Sequence, residues 1–412
     1  MKVLLVNNGE SNADFGTDER RFPIGLGYLS AMLKQHDHEV ELVDRFADRG
    51  IWIEGDVNRF DFVGVYTSTP CYKDALAVLE LLEGFKGRIA FGGPHTTAFP
   101  NTVPPRVDYV VQGEAEPIIH PLVEGEFPTG TLLRAQRIDD LDTLPRPDYD
   151  IFLDRPRNYT WDIPFTDHKP IYLMNTSRSC PYTCTFCSVR DIWGTLWRAQ
   201  GAERIVDDIA YLKSKYDMAG VYFREDIFTA NKKRVHEICE LLIKRNIKIA
   251  WACETRVDAG SDPSLIEIMA KSGCKGIYVG AESGSQRMLD HYHKQITVEQ
   301  IEQTCRLAKK HGIVVAMSLI VDHPMETWRD KFATWKLVKV TRPEIVWRNP
   351  YRDDVARHGV VDFPEYAPRE VIDLTFQGGT WVGQHHRLMP TEHIANKTGK
   401  ARRSLHVLPA HG

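Results

Sequence analysis

Over residues 1–125, short apolar runs alternate with longer stretches in which leucines recur every three or four positions. The runs at 3–6, 40–43, 62–66, 89–91 and 109–111 predict five buried parallel strands. Leu26, Leu29 and Leu33, then Leu76, Leu79 and Leu82, predict helices between them. Repeated β-α units of this kind wind into an open α/β sheet of doubly wound, Rossmann-like type, whose ligand crevice lies beyond the carboxyl ends of its strands. The turns at those ends read TSTP, GGPHTT and GEAE. Their small residues let a ligand approach the backbone.

Residues 126–168 are rich in Pro and Asp, with DDLDTLPRPDYDIF at their centre, and read as an extended linker. A second alternation follows over 169–350. Runs at 171–174, 221–223, 247–253, 276–279, 314–320 and 344–347 predict six strands, with helices at 235–244, 263–271, 298–310 and 326–338 between them. Six such units make a partial (β/α)6 barrel, whose chemistry sits at the carboxyl ends of the strands. From 351 to 412 the periodicity fades, which predicts a C-terminal extension, partly disordered or covering a substrate, with no chemistry assigned to it.

A chain of 412 residues is long enough for two cores. Its net charge of −4 argues against a broad nucleic-acid surface, and no run is long and apolar enough for a secretory signal or a membrane span, so a cytoplasmic location is expected. In that compartment the eight cysteines do not form a disulfide framework, and clustered ones point to metal. Cys71, Cys239, Cys253, Cys274 and Cys305 are scattered singly and read as small buried hydrophobes. Cys180, Cys184 and Cys187 share one loop, SRSCPYTCTFCSV, directly after the first barrel strand. Zinc is one reading of such thiols, but structural zinc draws on a second ligand pair at short spacing. The other is a cubane iron–sulfur cluster held at three irons, its fourth iron open to a ligand.

With its C-x3-C-x2-C loop after the first strand of a partial barrel, the chain resembles the radical S-adenosylmethionine (radical SAM) superfamily. The resemblance implies a [4Fe-4S] cluster on Cys180, Cys184 and Cys187 that binds S-adenosylmethionine and cleaves it to a 5′-deoxyadenosyl radical. Phe186 fits the aromatic position before the last cysteine. VYFREDIFTAN matches the second strand end, so Phe223, Arg224, Glu225 and Asp226 are carried over as contacts of the methionyl amino group. VGAESGSQRML at the fourth strand end adds Glu282 and Ser283. Glu254 and Arg256, in CETRVD, face either the cofactor carboxylate or the substrate, or else only cap a strand end. After the fifth strand the family's Gly-x-Pro-Gly-Glu-Thr turn is replaced by VDHPMET: Asp322 and Met325 stand for the glycines and are expected to narrow the barrel mouth. His323 there is a candidate acid, base or substrate contact, or a loop residue with no role.

The first half resembles the cobalamin-binding domain that precedes the barrel in one branch of this superfamily, through PIGLGYLSAMLKQHDHEVELVD, DFVGVYTSTP, GGPHTTAFPN and VDYVVQGEAEPIIHPLVEG. The resemblance implies that Thr67, Ser68, Thr69, Gly92, Gly93, His95 and Gly113 line a cobalamin site, and that no axial histidine comes from the first loop, which lacks the Asp-x-His-x-x-Gly motif. It implies a cobalamin-dependent methyltransferase acting on an unactivated carbon or a phosphorus centre of a small molecule or peptide, with a flavodoxin or ferredoxin as electron donor. The alternatives are a cyclisation, dehydration, dehydrogenation or rearrangement on the same architecture, and a non-catalytic cobalamin sensor or scaffold.

Overall fold

A computed structural model describes residues 1–8, 20–48, 50–351, 363–377 and 380–387. They fall into two compact units, the first built from residues 1–138, 145–159 and the C-terminal segment, the second from 139–144 and 160–355.

In the first unit, β1 (Lys2–Asn7), β2 (Glu39–Asp44), β3 (Phe62–Tyr66), β4 (Arg88–Gly92), β5 (Tyr109–Gln112) and β6 (Thr131–Ala135) run parallel. Val3, Leu4, Leu5 and Val6 are all fully buried, because helices cover both faces of a parallel sheet. The helix Ile24–Lys34 buries Ile24, Leu26 and Leu33 at helical spacing, and Tyr72–Leu81 buries Tyr72, Ala75, Val78 and Leu79. The strand order, 2-1-3-4-5-6, reverses between β1 and β3. That switch point places the crevice at Asn7, Asn8 and Thr67.

The second unit contains β7 (Ile171–Met174), β8 (Ser177–Arg178), β9 (Arg198–Ala199), β10 (Gly220–Phe223), β11 (Ala250–Thr255), β12 (Cys274–Glu282), β13 (Val314–Val321) and β14 (Ile345–Pro350). Six of these form an open, fully parallel sheet in the order β7-β10-β11-β12-β13-β14, while β8 and β9 pair as a short antiparallel ribbon. One face is dry, with Val221, Phe223, Cys253, Ile277 and Val279 fully buried. The other carries Tyr222, Glu254, Tyr278, Gly280 and Ser318, placed together by the in-register pairing of Glu254 with Tyr278 and of Gly280 with Ser318.

Two stretches differ from the sequence-based expectation. The segment read as linker, 126–168, contributes β6 to the first sheet, where Leu132 and Leu133 are buried. Within the stretch read as an extension, β15 (Glu370–Gln377) pairs parallel with β6, and β16 (Thr380–Arg387) pairs antiparallel with β15, so the first sheet has eight strands. Of the rest of that extension, residues 351 and 363–369 are described and belong to no helix or strand of the first sheet; the remainder lies outside the described residues.

Phe165 packs on the polar face of the barrel sheet, 6.2 Å from the ring of Tyr222. It occupies the space that a side chain at Gly276 would fill, since a Cβ there would stand 2.2 Å from Phe165 Cγ. Gly276→Ala is therefore expected to destabilise the second unit by ~1–3 kcal/mol through overpacking, and combined with Phe165→Ala, which removes the Cγ and Cδ1 it meets, it should cost less than the sum of the two single changes. A urea midpoint unmoved by Gly276→Ala contradicts this packing.

Candidate functional site

The β8–β9 ribbon closes the loop that carries the three cysteines. Ser179, just before Cys180, is buried in the left-handed region (φ 71°), where its hydroxyl donates to Gly194 O at 2.6 Å and its amide donates to the Asp226 carboxylate. These bonds hold a conformation that a serine ordinarily avoids. Cys180, Cys184 and Cys187 are free and half-buried. Burial pushes the Cys180 thiol up and the Cys187 thiol up to about 11, so a bound cation is what brings this set to thiolate at neutral pH. Asp226 stands among them, its carboxyl pushed up to about 6 by desolvation and by neighbouring Glu225.

Arg256 is the fixed charge of the loop. Its guanidinium lies 3.6 Å from the centre of the Tyr182 ring, 3.8 Å from Cys184 Sγ and 3.3 Å from Asp258, and donates to Lys294 O at 2.6 Å. Tyr182 in turn donates to Asp258 at 2.9 Å. Lys294 forms a buried ion pair with Glu282 at 2.7 Å and faces the Phe186 ring at 5.7 Å. Glu282, His293 and Gln295 all have positive φ, so the backbone on both sides of this pair is bent to present it. Nothing in HYHKQIT marks Lys294 as buried, since its partner lies twelve positions upstream.

The remaining barrel residues separate into those that face the polar side of the sheet and those that support it. Glu254 accepts from Tyr222 at 2.8 Å. Arg224 is exposed at the end of β10. Phe223, expected at the cofactor, is buried against Phe228 at 4.3 Å and Trp251 at 5.8 Å, so only its backbone can serve there. Glu225 turns inward, accepting from Thr176 at 2.8 Å beside Arg234, and Ser283 Oγ meets Thr334 at 3.2 Å. His323 is buried against Tyr351 at 4.0 Å and Tyr292 at 5.4 Å, and its Nδ1 accepts from the Met325 amide at 3.0 Å. The expected narrowing by Asp322 and Met325 is not found. Both side chains are exposed, and Asp322, at φ 60°, pairs outward with Lys331 at 2.9 Å.

In the first unit the predicted contacts shape the crevice more than they point into it. Thr67 is fully buried: its hydroxyl bonds Gly92 O at 2.9 Å and Thr96 Oγ1 at 2.6 Å. Gly93 has φ 112°, and a Cβ on it would stand 2.6 Å from Thr67 O, so glycine is required there, whereas Gly92 has room for one. His95 is fully buried, not at the crevice surface. Its ring stacks on Tyr72 at 3.6 Å, with Nδ1 on Thr69 Oγ1 at 3.1 Å and Nε2 on Thr102 Oγ1 at 3.0 Å. Ser68 is half-buried, and Gly113, at φ 89°, faces open space. Sequence reasoning passed over Asn8 at the switch point. Its amide donates to Tyr66 O at 2.7 Å, while its buried Oδ1 has no partner among the described residues.

Lys294→Met, which leaves the Glu282 carboxylate buried alone, is expected to cost ~3–5 kcal/mol, with partial recovery when Glu282→Gln is added; an unchanged thermal midpoint contradicts the pairing. Burial pushes the His95 imidazole down to about 4. Between that value and the ordinary pKa of about 6.5 the unfolded chain takes up a proton that the folded ring refuses, so stability falls with pH by ~1.4 kcal/mol per unit. In thermal unfolding scans across this window, His95→Gln should flatten the slope, and an equal slope in both proteins argues against it.

Two family descriptions fit the chain in succession: "B12 binding domain" over residues 19–122 and "Radical SAM superfamily" over residues 174–335. An uncharacterized methyltransferase of Pyrococcus horikoshii is 29% identical over 77% of this chain and 73% of its own. The anaerobic magnesium-protoporphyrin IX monomethyl ester cyclase of Rubrivivax gelatinosus is also 29% identical, over 69% of this chain and 55% of its own. The solved structure of OxsB, a cobalamin-dependent S-adenosylmethionine radical enzyme with aqua-cobalamin and S-adenosylmethionine bound, shares the fold at a TM-score of 0.62 and 21% identity, over 82% of this chain and 51% of that one. The chain thus spans about half the length of two of these three proteins. The cofactors that go with the two families are a [4Fe-4S] cluster, S-adenosylmethionine and cobalamin. The residues fit them: three thiols share one loop beside a fixed guanidinium, and the Asn8 Oδ1, without a partner among the described residues, and the glycine edge at Gly93 and Gly113 lie where a second ligand meets backbone. With a B12-binding domain followed by a radical SAM domain, this chain belongs to the cobalamin-dependent radical SAM enzymes.

Proposed function

We propose that the enzyme transfers a methyl group to an unactivated carbon, or to a phosphorus centre, of a small-molecule or peptide intermediate. The observation that carries this reading is that the Pyrococcus relative and most of the more distant ones are named as methyltransferases. When bound, the cluster and S-adenosylmethionine supply one-electron carbon–sulfur cleavage, and cobalamin supplies a methyl carrier. Cys180, Cys184 and Cys187 hold the iron, and the Arg256 guanidinium neutralises charge beside Cys184. Asp226 and Arg224 offer opposite charges to the amino and carboxylate ends of an amino-acid ligand. Tyr222, Glu254, Tyr278 and Ser318 present hydroxyls and a carboxylate to a substrate on the polar face of the barrel sheet. Because His323 Nδ1 accepts from a backbone amide, the neutral ring carries its proton on Nε2, where it can donate.

An external one-electron donor of flavodoxin or ferredoxin type completes the requirement, because the other five cysteines are dispersed and, Cys71 apart, buried. No helix among the described residues is long and apolar enough to cross a membrane. The Rubrivivax relative favours a second reading, a ring closure without methyl transfer.

The test is anaerobic reconstitution with iron, sulfide and cobalamin, followed by reductant and S-adenosylmethionine labelled in its methyl group. The methyltransferase reading expects label on cobalamin and, with a substrate pool, S-adenosylhomocysteine and 5′-deoxyadenosine released in equal amounts. Release of 5′-deoxyadenosine with no movement of label gives the ring-closure reading instead. Cys184→Ala should abolish 5′-deoxyadenosine in either case.

A further inference from the structure

We propose that the first unit binds one zinc-type divalent cation between His38, His120 and Glu124, at the amino end of β2 and away from the strand ends that form the crevice. His120 and Glu124 stand four positions apart on the helix Ile119–Glu124, so they share a face. His38 comes from the turn after the helix Ile24–Lys34, where Asp37 takes a left-handed conformation (φ 58°) between two histidines. The turn sets both rings on His120. His36 lies parallel to it at 3.8 Å, and His38 Nε2 reaches its Nδ1 at 2.9 Å.

Glu124 Oε1 is 3.6 Å from the same His38 nitrogen, and one ligand atom from each of the three residues lies within 4.8 Å of the others. In a tetrahedral zinc site with bonds of about 2.0–2.1 Å, neighbouring donors stand about 3.3 Å apart. The observed 2.9 and 3.6 Å bracket that spacing, and the third pair, His120 with Glu124, lies within 4.8 Å, so rotation of the exposed Glu124 side chain would bring the set to the ion. Two imidazoles and a carboxylate are a zinc donor set, and the exposure of Glu124 leaves the fourth position to water.

His38 is buried, which holds its ring beside the other two donors and out of bulk water. Ligation through Nε2, which faces His120 and Glu124, puts the His38 ring proton on Nδ1, 3.2 Å from the Met1 nitrogen, so the site requires that nitrogen to accept as a free amine when the ion is bound. The cation would tie the turn between the helix Ile24–Lys34 and β2 to the helix that follows β5, two elements whose histidines are 82 positions apart in the chain. None of these residues belongs to the cysteine loop or to the crevice, so the ion stabilises and does not react.

The experiment uses the holoenzyme with its iron cluster assembled, which commits the cysteine thiols, and zinc chloride as the probe. Wild type should retain one zinc per chain after gel filtration, and its thermal midpoint should rise with equimolar zinc and not with magnesium. His120→Asn should lose the zinc, and Glu124→Gln should weaken binding at least tenfold. Both variants should keep the wild-type iron content and the wild-type midpoint in a chelator. Cobalt(II) in place of zinc should give ligand-field bands without thiolate charge transfer. Failure of wild type to retain zinc, equal retention by His120→Asn, or a thiolate band overturns the assignment.

Discussion

The second unit is organised around one immobilised guanidinium. Arg256 closes a circuit in which the third strand end, the fourth strand end and the cysteine loop each supply a contact: Asp258, the Lys294 carbonyl, and Tyr182 with Cys184. A lysine could not take its place, because one planar group is here donating on two edges while stacking on a ring. Lys294 is itself fixed by Glu282, so the position of Cys184 is referred back to a strand of the sheet and not to the flexibility of its own loop. A metal-binding loop built in this way keeps its thiols close together before the metal arrives.

The first unit solves a similar problem with neutral groups. Beneath the crevice, Thr67 bonds Thr96 and Gly92 O, while the His95 ring bonds Thr69 and Thr102 and Tyr72 donates to the Thr102 carbonyl, all without a formal charge. Every polar atom named in that set has a partner, which lets the set exist in a dry interior and makes it rigid. The Gly93 backbone rests on it at a distance that excludes a side chain. Charge fixes the cysteine loop, and neutral hydroxyls and an imidazole fix the backbone beneath the crevice of the first sheet.

Much of this was legible in the residues, for local reasons. The helices Pro263–Lys271 and Val298–Lys310 begin where the sequence says because Asp262 caps one, and Thr297 with Gln300 forms a capping box on the other. The cysteine loop announces itself by spacing. The strand β6 did not, because only Leu132 and Leu133 of TLLRA are large and apolar, and they stand between the turn-rich FPTG and the polar RAQRIDD. Nor did the inward turn of Phe223, Glu225 and His95, since periodicity places a residue on an element but does not say whether its polar atoms are already taken. Lys294 was missed for the converse reason. A lysine in a polar loop reads as solvated until its carboxylate partner is known.

The β15–β16 hairpin makes the first sheet a composite of the two ends of the polypeptide. During synthesis, β6 leaves the ribosome more than two hundred residues before the strand that covers its edge, so the whole barrel unit is made while that row of amides and carbonyls is still unpaired. The first unit is therefore begun before the barrel unit and completed after it, and any translational stop within the barrel releases a chain with an adhesive β edge as well as a missing catalyst.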